Sequence, residues 1–278
     1  MRPRSSCDVL VVGNYCHDLL RLGSGRETHA LGGSSAYISS VLDAMEVDYA
    51  VAAVAGEDFR YADRLRYPPR IVPGTRTTQF TAELGQGERV LRVSARAEPI
   101  LPEDITVDAR VALACGVMGE LLPETLVRVS ERARYVVADA QGLLRALDGE
   151  GRVLNQRLEE TPYATHLERL HVLKASEEEA RALDVEQVRK RTRLVITRGR
   201  EGCTVLTENE RIDVPAFPAE EVDPTGAGDC FLAGFALGLL RELPLSRCAE
   251  LANWFGAQAV MQVGVPTLDV STLPATLR

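Results

Sequence analysis

Short apolar runs alternate along this chain with longer segments of helical period. Residues 9–12, 49–54, 111–115, 135–138, 171–173 and 194–197 are apolar and β-prone, and most end in Gly, Asn, Asp or Lys. Runs of this kind, without polar alternation, predict strands buried on both faces of a parallel sheet. Helical patterns lie between them. Gly32, Gly33, Ser34 and Ser35 open one whose Ala36, Ile38, Val41, Leu42 and Met45 recur at helical spacing. Pro123 suits the first turn of another, a Glu-rich helix follows Ser176, and two apolar helices fall near 226–240 and 245–263. Residues 77–84 and 89–94 break the rhythm. They alternate apolar and polar positions around Gly85-Gln86-Gly87, which predicts a half-exposed hairpin.

Strand–helix alternation predicts an α/β fold with a doubly wound, mainly parallel sheet flanked by helices. Such sheets bind ligands beyond the carboxyl ends of their strands. The loops 139–142, 174–179 and 197–202 are therefore expected to gather at one edge.

Composition narrows the picture. The chain has 278 residues, 45% of them hydrophobic and 26% charged, as in an ordinary soluble globular protein. Its net charge of −8 argues against general binding to nucleic acid or an anionic membrane. The six cysteines form no C-x-x-C pair, so they read as thiols of a reducing compartment. Residues 9–12 are too few for a signal-peptide core, and the longest apolar run, 230–240, has about half the length of a membrane span. A cytoplasmic location is expected.

The candidate chemistry centres on Asp223-Pro-Thr-Gly-Ala-Gly-Asp229, a loop that turns directly into an apolar helix. Gly226 and Gly228 remove side chains where backbone must approach something closely. Thr225 is expected as the helix N-cap. The amides of Gly226, Ala227 and Gly228 would then converge at the positive end of a helix, which suits a phosphate. Asp229 lies beside that anion site. No Gly-Lys-Ser/Thr follows, so this is not a Walker A loop. The arrangement suggests phosphoryl transfer to a hydroxyl, although Gly-rich loops before helices are also common without any ligand. The helix dipole lowers the pKa of Asp229 by less than about one unit, whereas full burial raises a carboxyl by up to ~3–5 units. Burial is expected to win only in a closed complex.

Three features in order resemble the ribokinase-like (PfkB) carbohydrate kinases over nearly the whole chain. They are Gly32-Gly33 opening the first helix, Thr197-x-Gly199-x-x-Gly202 after a late strand, and Asp223-x-Thr-Gly-Ala-Gly-Asp229. The stretches beginning at Val11 and Leu31, with Arg92-Val-Ser-Ala, Asp139-Ala-Gln and Leu173-Lys-Ala-Ser, are similar to plant-type myo-inositol kinases. The resemblance implies a single ribokinase-like domain over 1–278, with a small β lid from about 14–30 and 77–95.

The same resemblance implies ATP- and Mg2+-dependent phosphorylation of a small polyol, myo-inositol first. Asp229 would be the base, and Gly226, Ala227 and Gly228 the anion hole. Asp18 would hold substrate hydroxyls, with Asn14, Gly32 and Gly33 around it. Thr197, Gly199, Gly202, Thr225 and Asn253 would meet the nucleotide, and Glu179 would influence the metal indirectly. The rivals are a kinase for another sugar or a nucleoside, and a catalytically silent sugar or nucleotide sensor. The expected partners are small molecules, with no nucleic acid or membrane, and the expected state is a monomer or a lid-mediated homodimer. Ser176 stands where the family's Asn-x-x-Glu element has Asn, which puts that residue's contribution in question. The chain is also compact for the family, so a peripheral helix or lid segment is expected to be shortened.

Overall fold

The computed structural model describes residues 5–21, 27–84 and 89–278. Eight strands make the main sheet, in the spatial order Tyr49–Ala52, Ser6–Val12, Asp108–Ala114, Ala133–Asp139, Val172–Ser176, Arg193–Thr197, Cys203–Leu206 and Arg211–Val214. The first six run parallel, Cys203–Leu206 runs against them, and Arg211–Val214 is antiparallel to Cys203–Leu206 in turn. The unbroken apolar runs follow from burial on both faces. Val9, Val11, Val111, Leu113 and Val137 belong to one apolar layer, with the helices Ser34–Ala44, Ala227–Leu240 and Leu245–Val260. Leu10, Val12, Ala112, Ala114, Val136 and Ala138 belong to the other, with the helices Pro123–Arg132 and Val185–Arg191. Each strand thus sends alternate side chains into different cores, so no polar position is needed.

A second sheet of four strands has the order Glu27–Gly32, Cys16–Arg21, Gln79–Leu84, Arg89–Ala95. The hairpin expected at 77–94 is its outer pair, antiparallel with an irregularity between Gln79 and Phe80. Its turn, Gly85-Gln86-Gly87, lies outside the described residues.

Local chemistry moved several expected boundaries. The strand expected over 49–54 stops at Ala52, and Val54 begins a separate short pair, Val54–Gly56 with Arg70–Val72. The Val54 N–H is taken at 2.7 Å by the Asn14 side-chain oxygen instead of continuing the ladder. The Glu-rich helix is a single turn, Glu177–Ala180, separated from Val185–Arg191. The last apolar helix ends at Val260.

Glu120 shows how a buried charge is satisfied in this frame. It is 3% exposed, and its carboxylate accepts from the N–H groups of Asn14 (3.2 Å), Val117 (2.7 Å) and Met118 (2.7 Å). It shapes the loop after Asp108–Ala114 and ties it to the end of the first strand. Replacing one oxygen by an NH2 leaves buried amides without acceptors, at about 1–3 kcal/mol. Glu120→Gln is therefore expected to lower the unfolding free energy by that amount, read from the urea midpoint.

Candidate active site

The helix Ala227–Leu240 starts where the sequence places it, but Thr225 does not cap it. The Asp223 carboxylate captures Thr225, accepting its N–H at 3.0 Å and its hydroxyl at 2.6 Å. Gly226 is the N-cap, in the left-handed region at φ 77°, and a Cβ there would sit 2.0 Å from the Tyr37 ring. Only glycine meets both demands. The Cys230 N–H returns to the Gly226 carbonyl at 2.9 Å. The three amides before it have no acceptor within the helix. That of Ala227 turns to Pro224 at 3.3 Å.

A cation completes this helix start. A Cβ on Gly228 would meet Lys174 Nζ at 2.7 Å, so the glycine lets the ammonium lie against the first turn. Lys174 is paired with Asp139 at 2.9 Å, with side chains 7% and 1% exposed. Burial alone would drive Lys174 toward neutrality, but Asp139, Glu179 and Asp229 more than offset it and keep the lysine charged. A positive charge and orphan N–H dipoles at one point favour an anion.

Asp229 follows in the same turn. Its Oδ1 is buried with no hydrogen-bond partner. Burial and the nearby Asp139 push its pKa up to about 7, against the opposing effects of Lys174, the Ser34 hydroxyl and Arg145. Burial is the largest of these effects and outweighs the helix dipole.

Two cavities of about 380 Å³ each meet at this turn. One is lined by Ala227 and Gly228 together with Phe217, Phe231, Ala257 and Val260. The other is lined by Gly226 and Asp229 together with Asp18, Gln141 and Arg145. Residues 226–229 are the shared wall.

The structure distributes the sequence-derived candidates between them. Thr197, Gly199, Gly202 and Asn253 line the first cavity, although the Asn253 amide also donates to the carbonyls of Val214 (3.2 Å) and Pro215 (3.0 Å). Asp18 and Gly33 line the second, as Asp229 does. Gly32 packs behind Asp18, since a Cβ would fall 2.0 Å from its carboxylate. Thr225 lines the second cavity, whereas it was expected with the nucleotide. Asn14 is fully buried, and its side-chain oxygen is engaged with Val54.

Glu179 accepts from the Ser176 N–H at 2.7 Å, and the Ser176 hydroxyl accepts from the Glu179 N–H at 3.2 Å. The two residues form a capping box at the start of the helix Glu177–Ala180. Burial raises the Glu179 pKa, but Lys174 and the Ser176 N–H hold it below the usual range on balance. His17 stacks on Phe59 and accepts from the Arg60 N–H, as a packing residue does. Arg92, on the hairpin, donates to the Glu150 carbonyl at 3.0 Å.

Lys174, Gln141 and Arg145 were not singled out as site residues. Gln141 donates to the Ser34 hydroxyl at 2.9 Å, and Arg145 to the Val117 carbonyl at 3.0 Å. Gln141 stands just beyond the carboxyl end of a parallel strand, which is the signal that could have found it, whereas Lys174 lies within the strand Val172–Ser176 in register with Asp139.

The chain matches the pfkB family carbohydrate kinase profile over residues 139–272. It is 46% identical to an inositol 3-kinase of Oryza sativa subsp. japonica, over 96% of this chain and 71% of that one. The chain belongs to the PfkB carbohydrate kinase family. It is accordingly a phosphotransferase that acts on an alcohol group. An inositol 3-kinase of Arabidopsis thaliana is 39% identical over 95% of this chain and 77% of its own length. The ribokinase fold is shared with a pyrophosphate-dependent kinase complexed with a pyrophosphate analogue and myo-inositol. That structure has TM-score 0.80 and 16% identity, covering 94% of this chain and 97% of the other. A further relative in fold is a pyrophosphate-dependent myo-inositol-1 kinase converted into a myo-inositol-3 kinase by a double mutation, with TM-score 0.78 and 17% identity, covering 95% and 97%.

The raised pKa of Asp229 has a cost in stability. The folded chain holds the proton more tightly than the unfolded one, so the cost is absent below about pH 4 and complete above about pH 7. Its ceiling is on the order of 4 kcal/mol. Asp229→Asn mimics the neutral acid. It is expected to raise the melting temperature at pH 8, with the gain over wild type shrinking toward pH 4.

Proposed function

We propose that the chain transfers the terminal phosphoryl group of ATP to myo-inositol, at the 3-hydroxyl named for its relatives. The observation that carries this reading is the shared wall, which presents an anion cradle to one cavity and the Asp229 carboxylate to the other. Adenosine fits the first cavity, whose Phe217, Phe231, Ala257 and Val260 give it an apolar lining. That lining favours a nucleotide over bare pyrophosphate as donor. The terminal phosphoryl group would lie at the start of the helix, against the Gly228 amide and Lys174. The polyol would occupy the second cavity with hydroxyls on Asp18 and one hydroxyl toward Asp229. The four-stranded sheet, which supplies Asp18, Leu19, Phe80 and Leu91 to that cavity, serves as the lid.

In the transfer, the substrate oxygen forms a bond to phosphorus as the bond to the bridging oxygen of ADP breaks. Asp229 takes the hydroxyl proton, and Lys174 and the amides hold the charge on the transferred group. Such reactions rest on positioning and charge stabilisation more than on covalent chemistry. Among the described residues no three His, Cys, Asp or Glu side chains converge on a metal site. The residues fit a Mg2+ ion that arrives on the donor's phosphates and keeps its waters, with Glu179 acting on it from a distance. That ion would neutralise charge on the phosphates.

A coupled assay over myo-inositol, its isomers, common sugars and nucleosides tests the reading, with ADP release followed when ATP is the donor and orthophosphate release when pyrophosphate is. ATP with myo-inositol is expected to give the highest kcat/KM. Nucleotide binding without turnover of any acceptor would favour a silent sensor instead. Asp229→Asn is expected to remove nearly all turnover with little change in nucleotide affinity. Because the base acts only when ionised, kcat/KM should rise with pH through about 7. A flat profile between pH 6 and 8 would remove Asp229 from that role. Asp18→Ala should raise the KM for the polyol at least about tenfold, from the loss of charged hydrogen bonds worth ~1.5–3 kcal/mol each.

A further inference from the structure

Asp229 has a neighbour that the transfer described above does not use. Ser34 is the first residue of the helix Ser34–Ala44, is 1% exposed, and lines the second cavity together with Gln141 and Asp229. The serine after it anchors the helix, since the Ser35 hydroxyl donates to the Gly13 carbonyl at 2.6 Å, just beyond the first strand. The Ser34 hydroxyl is a hydrogen-bonding neighbour of the Asp229 carboxylate, whose charged form it favours. It also accepts from the Gln141 side-chain amide at 2.9 Å. Gln141 is held in turn by its backbone N–H, which donates to Asp139 Oδ1 at 3.2 Å.

A serine hydroxyl has one hydrogen to give and two lone pairs. The Gln141 amide takes a lone pair, and its own hydrogen repels the serine's from that direction. A carboxylate is a stronger acceptor than a neutral amide, so the serine hydrogen goes to Asp229. The run Asp139–Gln141–Ser34–Asp229 therefore has one sense along it. Asp229 needs such a hold. Its Oδ1 is buried with no hydrogen-bond partner. A carboxylate with nothing to grip it turns about its Cβ–Cγ bond, and a misdirected lone pair slows proton transfer.

Resting on the reading of Asp229 as the base, we propose that Ser34 and Gln141 are positioning residues for the transfer. Gln141 sets the direction of the Ser34 hydroxyl, and that hydroxyl holds the Asp229 carboxylate in the orientation that accepts the proton of the substrate hydroxyl. Both act through Asp229, whichever polyol occupies the cavity.

The same hydrogen bond favours the ionised base, so a pH profile reads its loss. The charged groups around Asp229 are Asp139, Lys174 and Arg145, with Asp18 and Glu178 lining the same cavity. Burial keeps the nearby Tyr37 hydroxyl and the Cys16, Cys115 and Cys230 thiols protonated. None of these groups is replaced in the test. In the unmutated chain, kcat/KM with ATP and myo-inositol is expected to rise through about pH 7. Ser34→Ala is expected to move that midpoint up by roughly one unit, the loss of one hydrogen bond to a charged group. kcat/KM then falls about tenfold near pH ~6 and approaches the unmutated value above about pH 9. Ser34→Thr keeps a hydroxyl and is expected to keep the midpoint. Gln141→Leu moves the midpoint the same way by less, and adds nothing in the Ser34→Ala background, because it acts only through the serine. A thermal melt checks that each variant is folded. A folded Ser34→Ala protein with the unmutated midpoint overturns the proposal, as does a Gln141→Leu shift that adds in full to that of Ser34→Ala. A flat profile in the unmutated chain removes Asp229 as the base, and the proposal with it.

Discussion

The site depends on a buried electrostatic compromise among Asp139, Lys174 and Asp229. A lone lysine or aspartate in such a place would shed its charge. The ion pair lets one positive charge stay at the helix start, against Gly228, while Asp139 holds up the proton affinity of Asp229. Remove the lysine and a buried carboxylate loses its partner. Add a side chain at Gly228 and the ammonium must move. Each of these residues is set by the others, and the sheet holds Asp139 and Lys174 side by side on neighbouring parallel strands.

The sequence carried the fold because each parallel strand is apolar on both sides, and that burial leaves a plain mark in composition. It also carried the helix start, because Gly226 answers a steric demand that no other residue meets and Gly228 leaves room for the Lys174 ammonium. Lys174, Gln141 and Arg145 were less legible. A lone cation in a strand has no periodic signature, and its importance comes from packing against a helix dozens of residues away in the chain. Thr225 was misplaced for a related reason. Its N-cap propensity is real, but Asp223 competes for the same hydroxyl and amide, and the steric fit of Gly226 against Tyr37 settles the cap.

Ser176, where the family pattern has asparagine, has a clear structural role of its own. Serine and glutamate three residues apart satisfy each other's backbone amides. Glu179 is thereby held in place without the amide side chain that the pattern usually supplies.

The walls of the second cavity belong to different sheets. The helix bearing Asp229 is anchored in the main core, whereas Phe80 and Leu91 ride on the four-stranded sheet with a small core of its own. The two sides of the cavity are thus held by separate hydrophobic cores, so one can be repacked without disturbing the other.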